Sequence, residues 1–506
     1  MLRLFPVQYH PEKAQMWYTG DLYVTLHLQP TFGTTHLSPS TGAQARIRSL
    51  VDNPEMLTTY TPSEPSAALQ QQRLNGLVQS ADPYDYVIIT SETLSPTFQS
   101  LADWRTGRGL KTRIVSVQEI YAAYDGTRPD GGTDNATRIR AFITDAYTTW
   151  YGTPHPLKYV LLGGDVEIIP VRYVSVEAGI YSSNALISDA YYAGLDGTWD
   201  QDADGEYGEG AATAGGGGAA GEEVDFYAEV YTGRAPVSTA TEATHFINKV
   251  IAYESDPAAA TLDKGLMLGE RLDSQTYGGY SMDELIALAP ALNATRLYDR
   301  DASWSSATLI PYLNASPHLI NHLGHANQSM VMRLSPSQVS SLSNTTPFLV
   351  HTQGCLPAKF DASDSIGEYF VFSEHGAFGF IGNTQYGWYL PGSTNGASQL
   401  FHRAFMKALF EKRIQALGEV LQDAKEEALG YVGGAGPERW VALELTLLGD
   451  PATAIVTDYV DPVAAIDTPV AASSVAGMVT IEGSAHSGSA AGAGFDSYRL
   501  DYGSGL

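Results

Sequence analysis

Between residues 84 and 451 short apolar runs alternate with amphipathic stretches. Tyr84-Asp-Tyr-Val-Ile-Ile-Thr90, Lys111 to Val117 and Tyr159-Val-Leu-Leu-Gly-Gly-Asp165 read as buried strands, because each is a short apolar run closed by turn residues. Thr97 to Arg108 and Asn135 to Trp150 read as helices; in the second, Ile139, Phe142, Ile143 and Tyr147 share one face. A strand from Phe226 to Pro236 and a helix from Glu242 to Glu254 follow, and Asp256-Pro257 breaks the chain. The rhythm then resumes with a strand at Gly265 to Glu270, a helix at Asp283 to Leu292, a strand at Ala294 to Tyr298 and a helix at Ser305 to Leu313. After two further strands come a helix at Asp364 to Glu374, a strand at Gly376 to Gly382, helices at Ser398 to Glu411 and Leu417 to Tyr431, and a closing strand in Leu445 to Pro451. Strands separated by helical crossovers predict an α/β fold with mainly parallel sheets, in two half-domains.

The two strands in the middle of that second run carry the chemistry. Pro317-His-Leu-Ile-Asn-His-Leu-Gly-His325 and Pro347-Phe-Leu-Val-His-Thr-Gln-Gly-Cys355 are apolar runs that each end in glycine and then a reactive side chain. A helix-like piece, Ser335 to Ser343, lies between them. Loops at the carboxyl ends of neighbouring parallel strands converge, so His325 and Cys355 are expected to face each other. A thiol needs a base or a positive neighbour to become a nucleophile, and this pair supplies both. A lone cysteine at a strand end is more often a small buried hydrophobe; the repeated strand-Gly-reactive-residue pattern argues for catalysis. His322 and His351 are the rival histidines, but both fall inside strands. Glu270, at the end of a strand in the same half, is the candidate to orient His325. The oxyanion donors would be the backbone N–H groups of Cys355 and Ala326.

Composition narrows the classes. The chain has 506 residues, a net charge of −27 and a single cysteine. The acidic balance argues against nucleic acid and anionic membranes as partners. One cysteine permits no internal disulfide. No apolar run reaches the length of about 18 residues that a membrane span needs, and Met1 to Pro11 has no signal-peptide pattern. Gly163-Gly164 lacks the spacing and the lysine of a phosphate-binding loop. The expected organisation is a β-containing region and linker over 1–80, a first α/β half over 81–257, a second over 258–458, and over 459–506 the opening strands of an immunoglobulin-like sandwich, Gly477 to Gly483 and Ser497 to Tyr502. An abrupt ending at Asp501-Tyr-Gly-Ser-Gly-Leu506 suggests a piece of a longer secreted protein.

One loop is a candidate cation site. Asp200, Asp202 and Asp204 precede Gly205 in an Asp-x-Asp-x-Asp-Gly pattern, which can turn alternating carboxylates onto one hard cation such as calcium. The twelfth position of an EF-hand would be Ala211, so the loop is not a complete one; Glu209 and Asp225 are the candidates to close the shell.

Asn321-His-Leu-Gly-His325, Thr352-Gln-Gly-Cys355, Gly379-Phe-Ile-Gly-Asn-Thr384 and Leu448-Gly-Asp-Pro451 resemble, in order and spacing, the motifs of gingipain-type cysteine peptidases. The similarity runs from about Asp82 to Thr457. Arg3-Leu-Phe-Pro-Val-Gln-Tyr-His-Pro11 with Asp21 to Leu28 is similar to the end of that family's propeptide-type region. The resemblance implies a caspase-like fold, a secreted or cell-surface endopeptidase acting on proteins or peptides, and a possible contact with its own N-terminal region. It implies the dyad Cys355 and His325, a supporting glutamate at Glu270, a substrate-pocket wall at Trp388 and mild support for calcium. In the arginine-cleaving relatives an aspartate pairs with the substrate's basic side chain; Asp283 is the candidate here, though it also suits a helix N-terminus. Relatives carry glycine where this chain has Ala326. The alternatives are a catalytically silent surface-binding protein on a peptidase scaffold, and a transpeptidase or sorting enzyme of the same family.

Overall fold

The computed structural model describes residues 76–457 except 211–223, 225, 256–260 and 362, together with four short strands outside that span. β1 (Val7–His10) and β2 (Gln15–Tyr18) pair antiparallel. In the main body β3 (Tyr86–Thr90), β4 (Thr112–Ser116) and β5 (Tyr159–Gly163) precede a separate antiparallel hairpin, β6 (Tyr173–Ala178) and β7 (Tyr181–Ile187), and then β8 (Tyr231–Ala235). The second half supplies β9 (Lys264–Gly269), β10 (Asn293–Tyr298), β11 (Leu319–Leu323), β12 (Phe348–Thr352), β13 (Ala377–Asn383) and β14 (Leu445–Gly449). β15 (Val463–Thr468) and β16 (Glu482–His486) form one further antiparallel pair. The propeptide-like stretch Asp21 to Leu28, the expected strand Ser497–Tyr502 and most of Gly477–Gly483 lie outside the described residues.

Both halves share one ten-stranded sheet, in the order β10-β9-β11-β12-β13-β14-β8-β5-β3-β4. Every pairing is parallel except β13 with β14, so the strands of the two sides run in opposite directions across that seam. This is the expected α/β architecture with a large, mainly parallel sheet. The sheet is buried on both faces, and the period-2 alternation is visible in the packing. Ile88, Leu161, Leu268, Ile320, Val350 and Phe380 face one layer of helices. Their neighbours Val87 and Leu162 face the helix Asn135–Trp150 on the other side, and Met267, Leu349 and Ile381 face the helices Ala397–Phe410 and Leu417–Ala428. A strand buried on both faces has no polar side to show, which is why these segments read as continuous apolar runs.

Two differences from the pattern-based expectation matter for the site, beside the unexpected helices Val117–Ala123 and Pro437–Glu444. The β6–β7 hairpin was not foreseen, because β7 is largely polar and exposed and its run ends in only two buried residues. The helix expected to begin at Asp283 spans Gly278–Leu288. Its first residues are glycines because the backbone is pressed against its surroundings. A Cβ on Gly278 would lie 2.4 Å from the Leu323 carbonyl oxygen, and one on Gly279 would lie 2.8 Å from the Tyr298 ring. Asp283 is therefore a mid-helix residue.

A buried ion cluster ties the closing strand to the helices of the first half. Arg105, on the helix Ser95–Gly107, bonds Glu254 at 2.8 Å and Asp450 at 2.9 Å, and all three side chains are almost fully buried. Asp450 follows β14 and also accepts the Ala452 N–H, so the Leu448-Gly-Asp-Pro451 motif anchors the closing strand to the first half. Arg105→Ala would strand two buried carboxylates and is expected to cost about 3–5 kcal/mol. Urea unfolding measures this; an unchanged midpoint would mean the cluster contributes nothing to holding the halves together.

Candidate active site

β11 and β12 are adjacent and parallel, with Asn321 opposite His351 and His322 opposite Thr352. Carrying that register three residues past the last pair sets His325 beside Cys355. The two loops touch: a Cβ on Gly354 would lie 2.5 Å from the Ala326 Cβ. Glycine at 354 is thus a requirement of the close approach between the two reactive loops.

His325 turns its Nε2 to the Leu272 carbonyl at 3.0 Å. A carbonyl only accepts, so Nε2 carries the hydrogen and Nδ1 is the basic nitrogen of the neutral ring. The Cys355 S–H points to the Gly387 carbonyl at 3.8 Å. No hydrogen bond joins Cys355 Sγ to His325 in this substrate-free state; such contacts commonly tighten when substrate is bound. Cys355 is partly buried, and burial pushes its thiol up.

Glu270 stands at the end of β9, but its carboxylate does not reach the His325 ring. It lies 3.4 Å from His322 Nε2 and 3.5 Å from Arg333 Nε, and the His325 backbone N–H is near enough to favour its charged form. The expected role of orienting the imidazole falls to the Leu272 carbonyl, two residues further on. Burial opposes charge on Glu270, but His322, Arg333 and the His325 N–H outweigh it and hold the carboxyl below its ordinary range. His322 Nδ1 meets the Thr352 hydroxyl at 2.8 Å, and the same hydroxyl accepts the Gly354 N–H at 3.1 Å. The chain Glu270–His322–Thr352–Gly354 therefore links the carboxylate to the residue before the thiol. A Cβ on Gly324 would fall 2.4 Å from His322 Nε2 and 2.5 Å from Glu270 Cδ, so only glycine lets this network pass beneath the His325 loop.

The other rival histidine is spent in the core. His351 is buried and stacked on His402 with ring centroids 3.7 Å apart, and burial pushes it down to about 3. His402 accepts from Gln353 Nε2 and donates to Asn321 Oδ1, both at 2.7 Å, which ties the cysteine strand to the histidine strand a second time. Ala326 is not among the described residues with positive φ, so alanine in place of the relatives' glycine costs no backbone strain. Leu356, directly after Cys355, does have positive φ (66°), and its N–H is held by the Gln385 carbonyl at 2.6 Å.

Of the proposed substrate-binding residues, Trp388 flanks the thiol, one residue after Gly387, and packs on Trp440 at 5.5 Å. Asp283 does not join the site. It pairs with Arg300 at 2.6 Å and Arg296 at 3.6 Å, at the β10 edge of the sheet. The acidic residue beside the dyad is Asp273, next to the Leu272 anchor. It accepts the Gln275 N–H at 2.7 Å and the Thr276 N–H at 2.8 Å and also meets the Tyr389 phenol; these bonds, the Gln275 N–H first, hold it below the usual carboxylate range. It was missed because an Asp in an exposed turn carries no sequence signal of its own.

Among the described residues, two carboxylate groups converge elsewhere. Asp200, Asp202 and Asp204 offer oxygens that lie within 4.8 Å of one another. Glu209 is not in that group, and its carbonyl takes Arg439; Asp225 lies outside the described residues. The second group, Asp165, Asp364 and Glu368, joins the end of β5 to the helix Ile366–Phe372 after Cys355. Asp165 Oδ1 and Glu368 Oε1 are buried without a partner. Burial pushes Asp165 up to about 6 and Glu368 well above its ordinary value.

A thiol and an imidazole thus stand at adjacent strand ends of a caspase-like α/β sheet. The chain belongs to Peptidase family C25, which it matches over residues 79–456. It is 25% identical over 302 residues to Lys-gingipain of Porphyromonas gingivalis, covering 56% of this chain and 15% of that protein, and 24% identical over 303 residues to Lys-gingipain W83 of the same species, with the same shares covered. The chain thus spans about a seventh of the length of the curated relatives it matches. The fold is that of gingipain R (RgpB), an Arg-specific cysteine proteinase, with a TM-score of 0.57, 16% identity, and 82% of this chain and 85% of that one covered. The complex of the RgpB pro- and mature domains of Porphyromonas gingivalis gives a TM-score of 0.56 at 17% identity, covering 77% of this chain and 84% of that one.

A buried neutral thiol predicts a particular alkylation profile. Without substrate, the rate of Cys355 carbamidomethylation should climb only in the alkaline range, above the thiol's usual value of about 8.5. A plateau of reactivity at pH 6–7 would instead reveal a preformed thiolate–imidazolium pair.

Proposed function

We propose that the chain is a cysteine endopeptidase that cuts next to a basic residue through Cys355 and His325. The observation that carries this reading is the β11–β12 register, which brings both reactive loops out side by side. Substrate binding displaces the thiol from the Gly387 carbonyl, and His325 Nδ1 takes its proton. The sulfur attacks the peptide carbonyl to give a tetrahedral intermediate, whose oxyanion is met by the Cys355 and Ala326 backbone N–H groups. His325 returns the proton to the leaving amine, and water hydrolyses the thioester. Asp273 replaces Asp283 as the partner for a basic side chain, with Trp388 as a pocket wall. The net charge of −27 favours approach of cationic substrates.

The test is cleavage of paired peptides with Lys, Arg or Gln before the cut, followed by mass spectrometry. Cys355→Ala and His325→Ala should abolish cleavage. Asp273→Asn should lower kcat/KM about tenfold to a hundredfold for Lys and Arg only. Equal cleavage after Gln and Lys in the wild type would discard the basic preference. Products joined to an added amine in place of free acid would instead favour the transpeptidase reading.

Both carboxylate groups fit a hard cation. Calcium binds oxygens at about 2.4 Å, so ligand atoms on opposite sides of it are about 4.8 Å apart. Asp200, Asp202 and Asp204 would hold one ion on the loop, and Asp165, Asp364 and Glu368 a second that braces the segment after Cys355; the role of each ion is structural. The raised carboxyls set the sign of the pH dependence. A carboxyl whose folded value is raised stabilises at low pH, and that contribution is lost as pH rises through about 6. The calcium-induced gain in Tm should therefore be larger at pH 8 than at pH 5, and Glu368→Gln should shrink the difference. A gain independent of pH and of Glu368 would count against the second ion.

A further inference from the structure

The unforeseen β6–β7 hairpin packs against the segment that receives the Cys355 S–H, and its tip is apolar. Gly179 has φ +65° and makes the turn. Ile180 after it is 93% exposed and Tyr181 is 51% exposed, in a chain whose other large apolar side chains are mostly buried. The Tyr181 ring packs edge-on against Trp388 at 5.4 Å and against Tyr386 at 6.4 Å. Beneath them Trp440 is fully buried and contacts both rings, Trp388 at 5.5 Å and Tyr386 at 6.0 Å, so the aromatic floor is fixed from the core.

This surface is continuous with the catalytic loop. The segment 384–388 receives the Cys355 S–H on Gly387 and the Leu356 N–H on Gln385. On its other side it is tied to the hairpin: Gln385 Nε2 donates to Ser183 Oγ at 3.1 Å, and the Thr384 hydroxyl donates to the Ile187 carbonyl at 2.8 Å. Glu444, buried below, accepts the Gln385 N–H at 2.8 Å. The apolar wall and the acceptor of the Cys355 thiol thus belong to one loop.

We propose that Ile180, Tyr181, Tyr386 and Trp388 form a substrate subsite for an aromatic or large aliphatic side chain of the peptide being cleaved. This rests on the endopeptidase reading and deepens it. The occupant is the substrate itself, because the patch shares its backbone with the loop that holds the nucleophile. An apolar group entering the patch loses its hydrated surface there and gains the ring faces of Tyr181 and Trp388. The subsite selects by apolar contact, so its contribution is insensitive to salt, unlike recognition of a basic residue at Asp273.

Cleavage-site profiling on a proteome-derived peptide mixture tests this. The wild-type chain should cut with enrichment of Phe, Tyr, Leu or Met at one fixed position near the scissile bond. Substituting the solvent-exposed tip, Ile180→Ser with Tyr181→Ser, should remove that enrichment. It should also raise KM about tenfold for a peptide carrying Phe at that position, with kcat and the labelling of Cys355 by a small alkylating agent unchanged. The same enrichment in the variant, or none in the wild type, would overturn the subsite and leave the peptidase standing. No Cys355-dependent cleavage of any peptide would overturn the peptidase reading and the subsite with it.

Discussion

Both reactive loops pass beside one buried carboxylate. Glu270 reaches the Gly354 N–H through His322 and Thr352, and the His325 backbone N–H helps to hold it ionised. An ionised carboxylate only accepts, so His322 donates to it from Nε2 and accepts the Thr352 hydroxyl at Nδ1; each proton in the chain has one place. This order costs desolvation of a carboxylate, which His322 and Arg333 offset. Gly324 is the steric condition for it, since any side chain there would occupy the space between Glu270 and His322.

The sheet makes the same demand on a larger scale. A parallel register brings His325 and Cys355 out together only if β11 and β12 are neighbours without a slip, because a one-residue shift would turn every side chain to the other face. Several ties fix that register besides the ladder itself. Thr352 meets His322 on one face of the sheet, and His402 bridges Asn321 and Gln353 on the other. His322, His351 and His402 are thus structural around these two strands, and of the four histidines here His325 alone stands at a loop with its basic nitrogen uncommitted.

The sequence made the double-sided strands legible, since continuous apolar runs with glycine or aspartate at their ends have few other meanings. It also singled out His325 and Cys355, because both follow Gly at such an end. Partnership was harder to read. Glu270 is near the dyad as expected, yet it works through a backbone N–H and through His322, and no spacing rule shows which histidine a carboxylate will meet. Asp283 was mistaken for a helix start because Gly278-Gly279 look like a turn, whereas they open the helix under a tight backbone contact. The hairpin was hidden by its own exposure: a polar strand at the surface carries little apolar alternation. Asp165 and Glu368, about 200 residues apart, meet only through the folded topology.

The central claim is that Cys355 is a nucleophile activated by His325 at adjacent strand ends. Intact-mass analysis after treatment with a lysine- or arginine-based acyloxymethyl ketone tests it most directly. The account predicts a single adduct on the wild-type chain, mapped to Cys355, absent from Cys355→Ala and formed far more slowly in His325→Ala. An adduct that forms at the same rate without His325, or no adduct with any side chain on the probe while calcium is present, would contradict it.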